Sequence, residues 1–188
     1  NWHGPIITDS GGLQVFSLAN KKMAKVLQSD ENVETLVKIT EEGVEFSSHH
    51  DGSKHMFTPE KSLEIQKNLG ADIILPLDDC TAYPITHKKA EESMRRTHRW
   101  GKKAIEYFEQ TVNSKQSTEN KRQALFGIIQ GSIYQDLREE SAKFIGSLPF
   151  SGFAIGGVSV GESKKEMEHV LHWTIPHLPE GKPRHLLG

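Results

Sequence analysis

The chain has 188 residues, enough for one domain with a sizeable core but fewer than the roughly 200 to 250 that a complete eight-fold α/β barrel uses. Its 26% charged residues balance to a formal net charge of −2, which excludes the strong positive field of a self-sufficient nucleic-acid binder, so any RNA contact must be local or come from outside these residues. The lone cysteine, Cys80, excludes an internal disulfide, and neither a signal-peptide pattern nor an apolar run of about 18 residues is present, so a soluble, cytoplasmic protein with no membrane partner is expected.

Pro5 to Thr8 opens the chain as a short apolar strand, already under way at residue 5. Gly43 to Ser47 and Lys54 to Thr58 then alternate with period two around a turn at His50 to Ser53, which predicts a β-hairpin. Thr58 as N-cap and Pro59 at the first helical position open a helix over Pro59 to Leu69, closed by Gly70. Asp72 to Leu77 reads as a strand and His87 to Gln110 as a long helix. Thr111 to Arg122 is polar apart from Val112 and reads as a surface loop. Strand Ala124 to Ile129, helix Tyr134 to Leu148, strand Gly152 to Ile155, helix Lys164 to Trp173 and strand His185 to Leu187 complete the series. The strands are nearly continuous in Ile, Leu, Phe, Val and Ala, which is the pattern of parallel strands buried on both faces. Alternation of such strands with helices predicts α/β, and specifically an incomplete (β/α)8 TIM-barrel segment with an inserted β-hairpin. Both ends read as cut, with residues 1–188 forming one partial barrel domain.

Ligands of parallel sheets bind beyond the carboxyl ends of the strands, so polar residues directly after each apolar run are the candidates for chemistry. Thr8-Asp9-Ser10-Gly11-Gly12 follows the first run, Asp78-Asp79-Cys80 the second, Gln130-Gly131 the third, and Gly156-Gly157-Val158-Ser159-Val160-Gly161-Glu162 the fourth. Asp9 and Asp78 end different strands, so a barrel would bring their carboxylates together, where repulsion and burial suit one of them to proton transfer. Helix capping is the competing reading for both. Gln130 offers an amide able to read a base edge or to make a structural strand-end bond. The glycines permit close backbone approach to a flat ligand, yet they do not match the dinucleotide-binding fingerprint. His49, His50, His169 and His172 lack metal spacing, Cys80 lacks a neighbouring base, and Lys88, Lys89, Arg95, Arg96 and Arg99 sit among Glu91 and Glu92 as a solvated, salt-bridged helix face.

Taken together, Pro5 to Leu18, Leu77-Asp78-Asp79-Cys80-Thr81, Phe126 to Gly131 and Gly156 to Glu162 resemble, in order, the motifs of the tRNA-guanine transglycosylases. The resemblance implies a barrel enzyme, a pentosyltransferase, that excises guanine from the wobble position of tRNAs with a G-U-N anticodon and installs a 7-deazaguanine base on the way to queuosine. It implies that Asp9 is the acid/base aspartate, that Ser10, Gly11, Gly12 and Leu13 shape the base pocket, and that Asp78 accepts from the guanine N1–H and amino group. Gln130 and the Gly157 backbone N–H are implied as donors to the guanine carbonyl, with Cys80, Gly156, Val158 and Ser159 also against the base. The partners implied are the anticodon loops of Asp, Asn, His and Tyr tRNAs, a 7-deazaguanine base and a second copy of the chain. The family's nucleophilic aspartate and its zinc site of three cysteines and a histidine fall beyond residue 188, so no metal ligand is expected here and this segment alone is expected to be inactive. Ser132 stands where many bacterial members have glycine and Ser159 where they have alanine, while Cys80 and Val160 look bacterial and the bulk of Val160 favours pre-queuosine 1 over queuine. A non-catalytic partner subunit, or a barrel enzyme acting on a free purine-like ligand, are the rival readings.

Overall fold

The computed structural model describes residues 2–12, 37–47, 52–112 and 123–187. Leu13, His49, His50 and most of the 111–122 segment therefore lie outside the described residues.

Alternating residues build a small antiparallel sheet of β1 (Val37–Ile39), β2 (Val44–Ser47) and β3 (Lys54–Phe57), in that order. Val44 pairs with Phe57 and Phe46 with His55 across β2 and β3, while the turn residues 48–51 are not among those described. β1 was not anticipated; its Val37-Lys38-Ile39 alternation is too short to stand out alone. The apolar face of this sheet, Val37, Val44, Ile39, Phe46 and Phe57, packs on Leu77 and Trp100. Trp100 also donates its indole N–H to the Glu41 carbonyl at 2.8 Å, fixing the β1–β2 turn.

The remaining strands are parallel: β4 (Ile73–Ile74), β5 (Ala124–Ile129), β6 (Gly152–Ile155) and β7 (Arg184–Leu186), side by side in that order. Ahead of β4, Ile7 forms a parallel bridge to Ile73, and the Thr8 N–H donates to the Ile73 carbonyl at 3.0 Å. Among these parallel segments the order in space is thus the order in the chain, with β1 to β3 set between the first segment and β4. A doubly wound sheet reverses its strand order part-way; a barrel wall does not, and this sheet follows the barrel rule.

Between these strands run α1 (Pro59–Asn68), α2 (His87–Tyr107), α3 (Gln135–Gly146) and α4 (Lys164–Thr174). Thr58 caps α1 through its hydroxyl, which accepts from the Lys61 N–H, with Pro59 in the first turn. α4 starts on a reciprocal capping box between Ser163 and Glu166. α2 ends earlier than Gln110 and gives way to a π-helical turn over Phe108–Val112, which takes the start of the expected surface loop.

Period-two alternation gives the parallel sheet two apolar faces. Ile74, Leu125, Ile129 and Phe153 point outward to Leu63 of α1, Ala104 and Ile105 of α2, and Ala142 and Ile145 of α3. Leu75, Phe126, Ile128 and Ala154 fill the opposite, inner face. Gln130 continues the inner row of Phe126 and Ile128, so its side chain emerges on the inner side just where β5 ends.

β4 is only two residues long, against the Asp72 to Leu77 expected, because Pro76 has no N–H to continue a ladder. On the opposite edge, facing the Ile6–Thr8 segment, a side chain takes the place of a strand. Buried Gln66 of α1 accepts from the Leu75 N–H at 3.0 Å, donates to the Leu75 carbonyl at 2.7 Å, and accepts from the Thr8 hydroxyl at 2.9 Å. Replacing it by leucine would leave two buried backbone groups unpaired, each worth about 1–3 kcal/mol. Gln66→Leu is expected to lower unfolding free energy by about 2–4 kcal/mol in urea titrations, and a loss under about 0.5 kcal/mol would refute this role.

Candidate functional site

Residues that follow the strand ends meet around a cavity of about 180 Å³. It is lined by Asp9, Asp78, Cys80, the Gly156-Gly157-Val158-Ser159-Val160 loop and Leu187. At its centre Asp78 is 7% exposed. One carboxylate oxygen accepts from the Ser10 hydroxyl at 3.1 Å and the other from the Gln130 side-chain amide at 2.7 Å. Ser10 in turn accepts from the Gly12 N–H at 3.1 Å, and the Asp9 carboxylate accepts from the Ser10 N–H at 2.7 Å. Three strand ends thus converge on one carboxylate.

Close packing explains two of the glycines. A Cβ on Gly12 would overlap the Asp78 carboxylate, and one on Gly157, whose φ is +61°, would overlap the Gln130 amide oxygen. Beyond Gly157 the loop is pinned by Glu162, whose carboxylate accepts from the Ser159 and Val160 N–H groups. Ser159 itself has φ 61° and Ser132 has φ 51°, left-handed conformations in which a side chain is strained, so the two positions where the motif departs from glycine or alanine are both special backbone sites. Among the described residues the Gly157 N–H has no acceptor within the chain, which leaves it available to a ligand.

The Asp78–Asp79 pair divides by pleat. Asp78 and Cys80 face the cavity, whereas Asp79 turns back toward α2, where it forms an ion pair with Arg96. Thr97 accepts from the Asp79 N–H at 3.0 Å and Ser93 donates to its carbonyl at 2.5 Å, so the strand end is bolted to the helix. Arg96 and Arg99 also pair with Glu41 of the β1–β2 turn, and Arg95 with Glu91 and Glu140. Arg95, Arg96 and Arg99 of α2 are therefore spent on ion pairs, one of them supporting the site.

Burial pushes the Asp78 carboxyl up to about 6, opposed by the Gln130 hydrogen bond and helped by the nearby Asp9 charge. Burial also raises Asp79, and Arg96 opposes the shift. The Cys80 thiol is driven up to about 12 by burial and by the carboxylates of Asp78 and Asp79, so it is a protonated wall group at neutral pH. His169 and His172 are exposed on α4, and among the described residues no group of three or more His, Cys, Asp or Glu is gathered for a metal ion. No helix among those residues is long and apolar enough to cross a membrane.

Leu187, Arg138, Gln66 and Ser62 belong to this neighbourhood and were missed in the sequence. Ser62 donates to the Ser10 carbonyl at 3.1 Å, and the Arg138 guanidinium underlies the Gly156–Gly157 wall. Arg138, Ser141, Ala142 and Ile145 form one buried stripe of α3, the signal that could have singled out the arginine.

A parallel sheet in sequential order, with a small cavity at its carboxyl edge walled by glycines and a buried carboxylate, is the strand-end arrangement of α/β enzymes. The profile of the queuine tRNA-ribosyltransferase family matches residues 1–188, and the chain belongs to that family. Similar curated proteins, each called queuine tRNA-ribosyltransferase, come from Desulforudis audaxviator strain MP104C (48% identical over 188 residues), Natranaerobius thermophilus (48%) and Vibrio campbellii (45%). All of this chain is covered in each comparison but only 44% of each relative, so the chain spans less than half the length of these proteins.

The raised Asp78 carboxyl has a signed consequence for stability. The folded chain holds the Asp78 proton to a higher pH than the unfolded one, so this group's contribution is full below its ordinary value of 3.8 and is lost as pH rises through about 6. Relative to Asp78→Asn, wild-type stability in urea should fall between about pH 4 and 6. Parallel pH profiles for the two proteins would show that the carboxyl is not desolvated.

Proposed function

We propose that this chain is the base-recognising part of a tRNA-guanine transglycosylase, which exchanges guanine at the wobble position of G-U-N anticodon tRNAs for a 7-deazaguanine base. One observation carries the reading: the Asp78 carboxylate and the Gln130 amide are bonded to each other at 2.7 Å, in a cavity whose glycine wall has a free N–H. Guanine presents two adjacent donors, N1–H and the amino group, beside one carbonyl acceptor. An ionised carboxylate next to amide donors is the complement of that edge, and adenine or xanthine would leave a buried group unpaired. The cavity of about 180 Å³ is small beside the roughly 300 to 1,000 Å³ of drug-sized pockets, which suits a single heterocycle.

In this reading Asp78 accepts from N1–H and the amino group, while Gln130 and the Gly157 N–H donate to the carbonyl. To do so Gln130 must share or exchange its present bond with Asp78. Ser10, Gly11 and Gly12, with Leu13 outside the described residues, shape the loop beneath the base, and Cys80, Gly156, Val158 and Ser159 contact its faces and edges. Asp9 relays the proton: it assists departure of guanine and deprotonates the incoming base. The covalent step, attack of a carboxylate on the ribose C1′ of a flipped-out nucleoside, belongs to an aspartate outside this chain, as does a structural zinc site of three cysteines and a histidine. The parallel strands are then part of a (β/α)8 barrel, with β1 to β3 an insertion beside it. A cytoplasmic homodimer acting on Asp, Asn, His and Tyr tRNAs completes the proposal.

In the full-length protein, Asp9→Ala and Asp78→Ala should each cut incorporation of labelled guanine into tRNA by at least about 100-fold. Exchange at the wild-type rate by either variant removes that residue from the mechanism. Val160 lines the cavity, so its bulk favours pre-queuosine 1 over queuine. Val160→Ala should raise queuine use relative to pre-queuosine 1 by about 10-fold, the effect of a few methylenes in a pocket, and an unchanged ratio would place the selection elsewhere.

A further inference from the structure

Behind the Gly156–Gly157 wall lies a cation that base recognition leaves unused. Arg138, in the first turn of α3, is 0% exposed. Its Nε donates to the Ser132 carbonyl at 2.6 Å, Nη1 to Ile129 at 3.1 Å and to Gly156 at 2.7 Å, and Nη2 to Gly157 at 2.9 Å. All these acceptors are carbonyls at the ends of β5 and β6. Among the described residues no carboxylate lies within ion-pair distance of it. Burial pushes the guanidinium down to about 9, which still leaves it cationic at neutral pH.

A neutral amide could tie two of these peptides together, whereas a buried cation with no anion in contact, only the field of the Glu162 carboxylate, is the costlier choice. What the charge adds is a field. A Cβ on Gly157 would stand 3.4 Å from Nη2, so the charge lies one residue layer behind the cavity wall. The peptide whose carbonyl is Gly156 O carries the Gly157 N–H at its other end. A charged donor on that carbonyl polarises the peptide and strengthens the N–H as a donor.

We infer that Arg138 is a positioning residue acting through the Gly156–Gly157 peptide: it fixes and polarises the Gly157 N–H and places positive charge behind the carbonyl oxygen of the bound base. Negative charge that gathers on this oxygen as the base departs is thereby stabilised. The inference rests on the base-exchange reading above. It separates two contributions, geometry from the fork of hydrogen bonds and field from the charge.

The test is steady-state exchange of labelled guanine into tRNA by the full-length protein, with kcat and KM measured for Arg138→Lys and Arg138→Met. Lysine keeps the charge and loses the fork, so KM should rise about 10-fold with kcat held within about 3-fold, whereas methionine should lower kcat at least about 10-fold. Equal loss of kcat in two folded variants shows a structural role only and overturns the inference, as does wild-type behaviour of both. If Arg138→Met does not fold, Arg138→Lys decides alone: raised KM with kcat retained supports the inference, and any other pattern overturns it. Wild-type protein that exchanges no guanine overturns the base-exchange reading and this inference together, while active wild type with unaltered variants overturns only the inference.

Discussion

A carboxylate that is almost out of water must be given hydrogen-bond donors, and the rest of the site is organised around meeting that demand for Asp78. Its two oxygens take one donor each, from Ser10 and Gln130, which sit at the ends of different strands. Ser10 is itself held by Ser62 of α1 and by the Gly12 amide, and Gln130 by the packing of Gly157 against its side chain. Even so the burial is not fully offset, as the raised carboxyl shows. An under-satisfied acceptor of this kind is ready for further hydrogen-bond donors.

Much of the architecture was legible because buried parallel strands have so little freedom in composition. Ala124 to Ile129 and Gly152 to Ile155 are found at the positions expected, and the Thr58-Pro59 start of α1 follows from capping chemistry alone. Errors fall where a local rule competes with tertiary context. The expected strand from Asp72 to Leu77 is truncated because Pro76 interrupts its ladder to β5, while the edge facing Thr8 is completed by Gln66, a helix residue with no sequence mark of that duty. Tyr134 to Leu148 shortens to Gln135–Gly146, and His185 to Leu187 shifts by one to Arg184–Leu186, within the fraying usual at element ends.

For the site, residue type at a strand end was a good guide to which groups meet: Asp9, Ser10, Asp78, Cys80, Gln130 and the 156–159 loop are neighbours in space. Their supporting shell was not legible in the same way. Arg138 sits among Asp, Glu and Lys residues that look like an ordinary solvated helix, and only its place in the buried stripe of α3 separates it from them. Arg96 shows the converse. It was read as part of a surface salt-bridged face, and it does pair with acids, yet one of these is the buried Asp79 beside the cavity rather than a helix neighbour.

The back-to-back arrangement of Asp78 and Asp79 makes the segment a phase-sensitive device. Side chains of an extended chain change sides at each step, so a slip of one residue after Pro76 would send the arginine-bound acid into the cavity and drive the other against α2. Both acids would then be misplaced without any change in composition. Length between Leu75 and Cys80 is therefore as informative as identity: a homologue that gains or drops a single position there has changed its chemistry even if both aspartates remain.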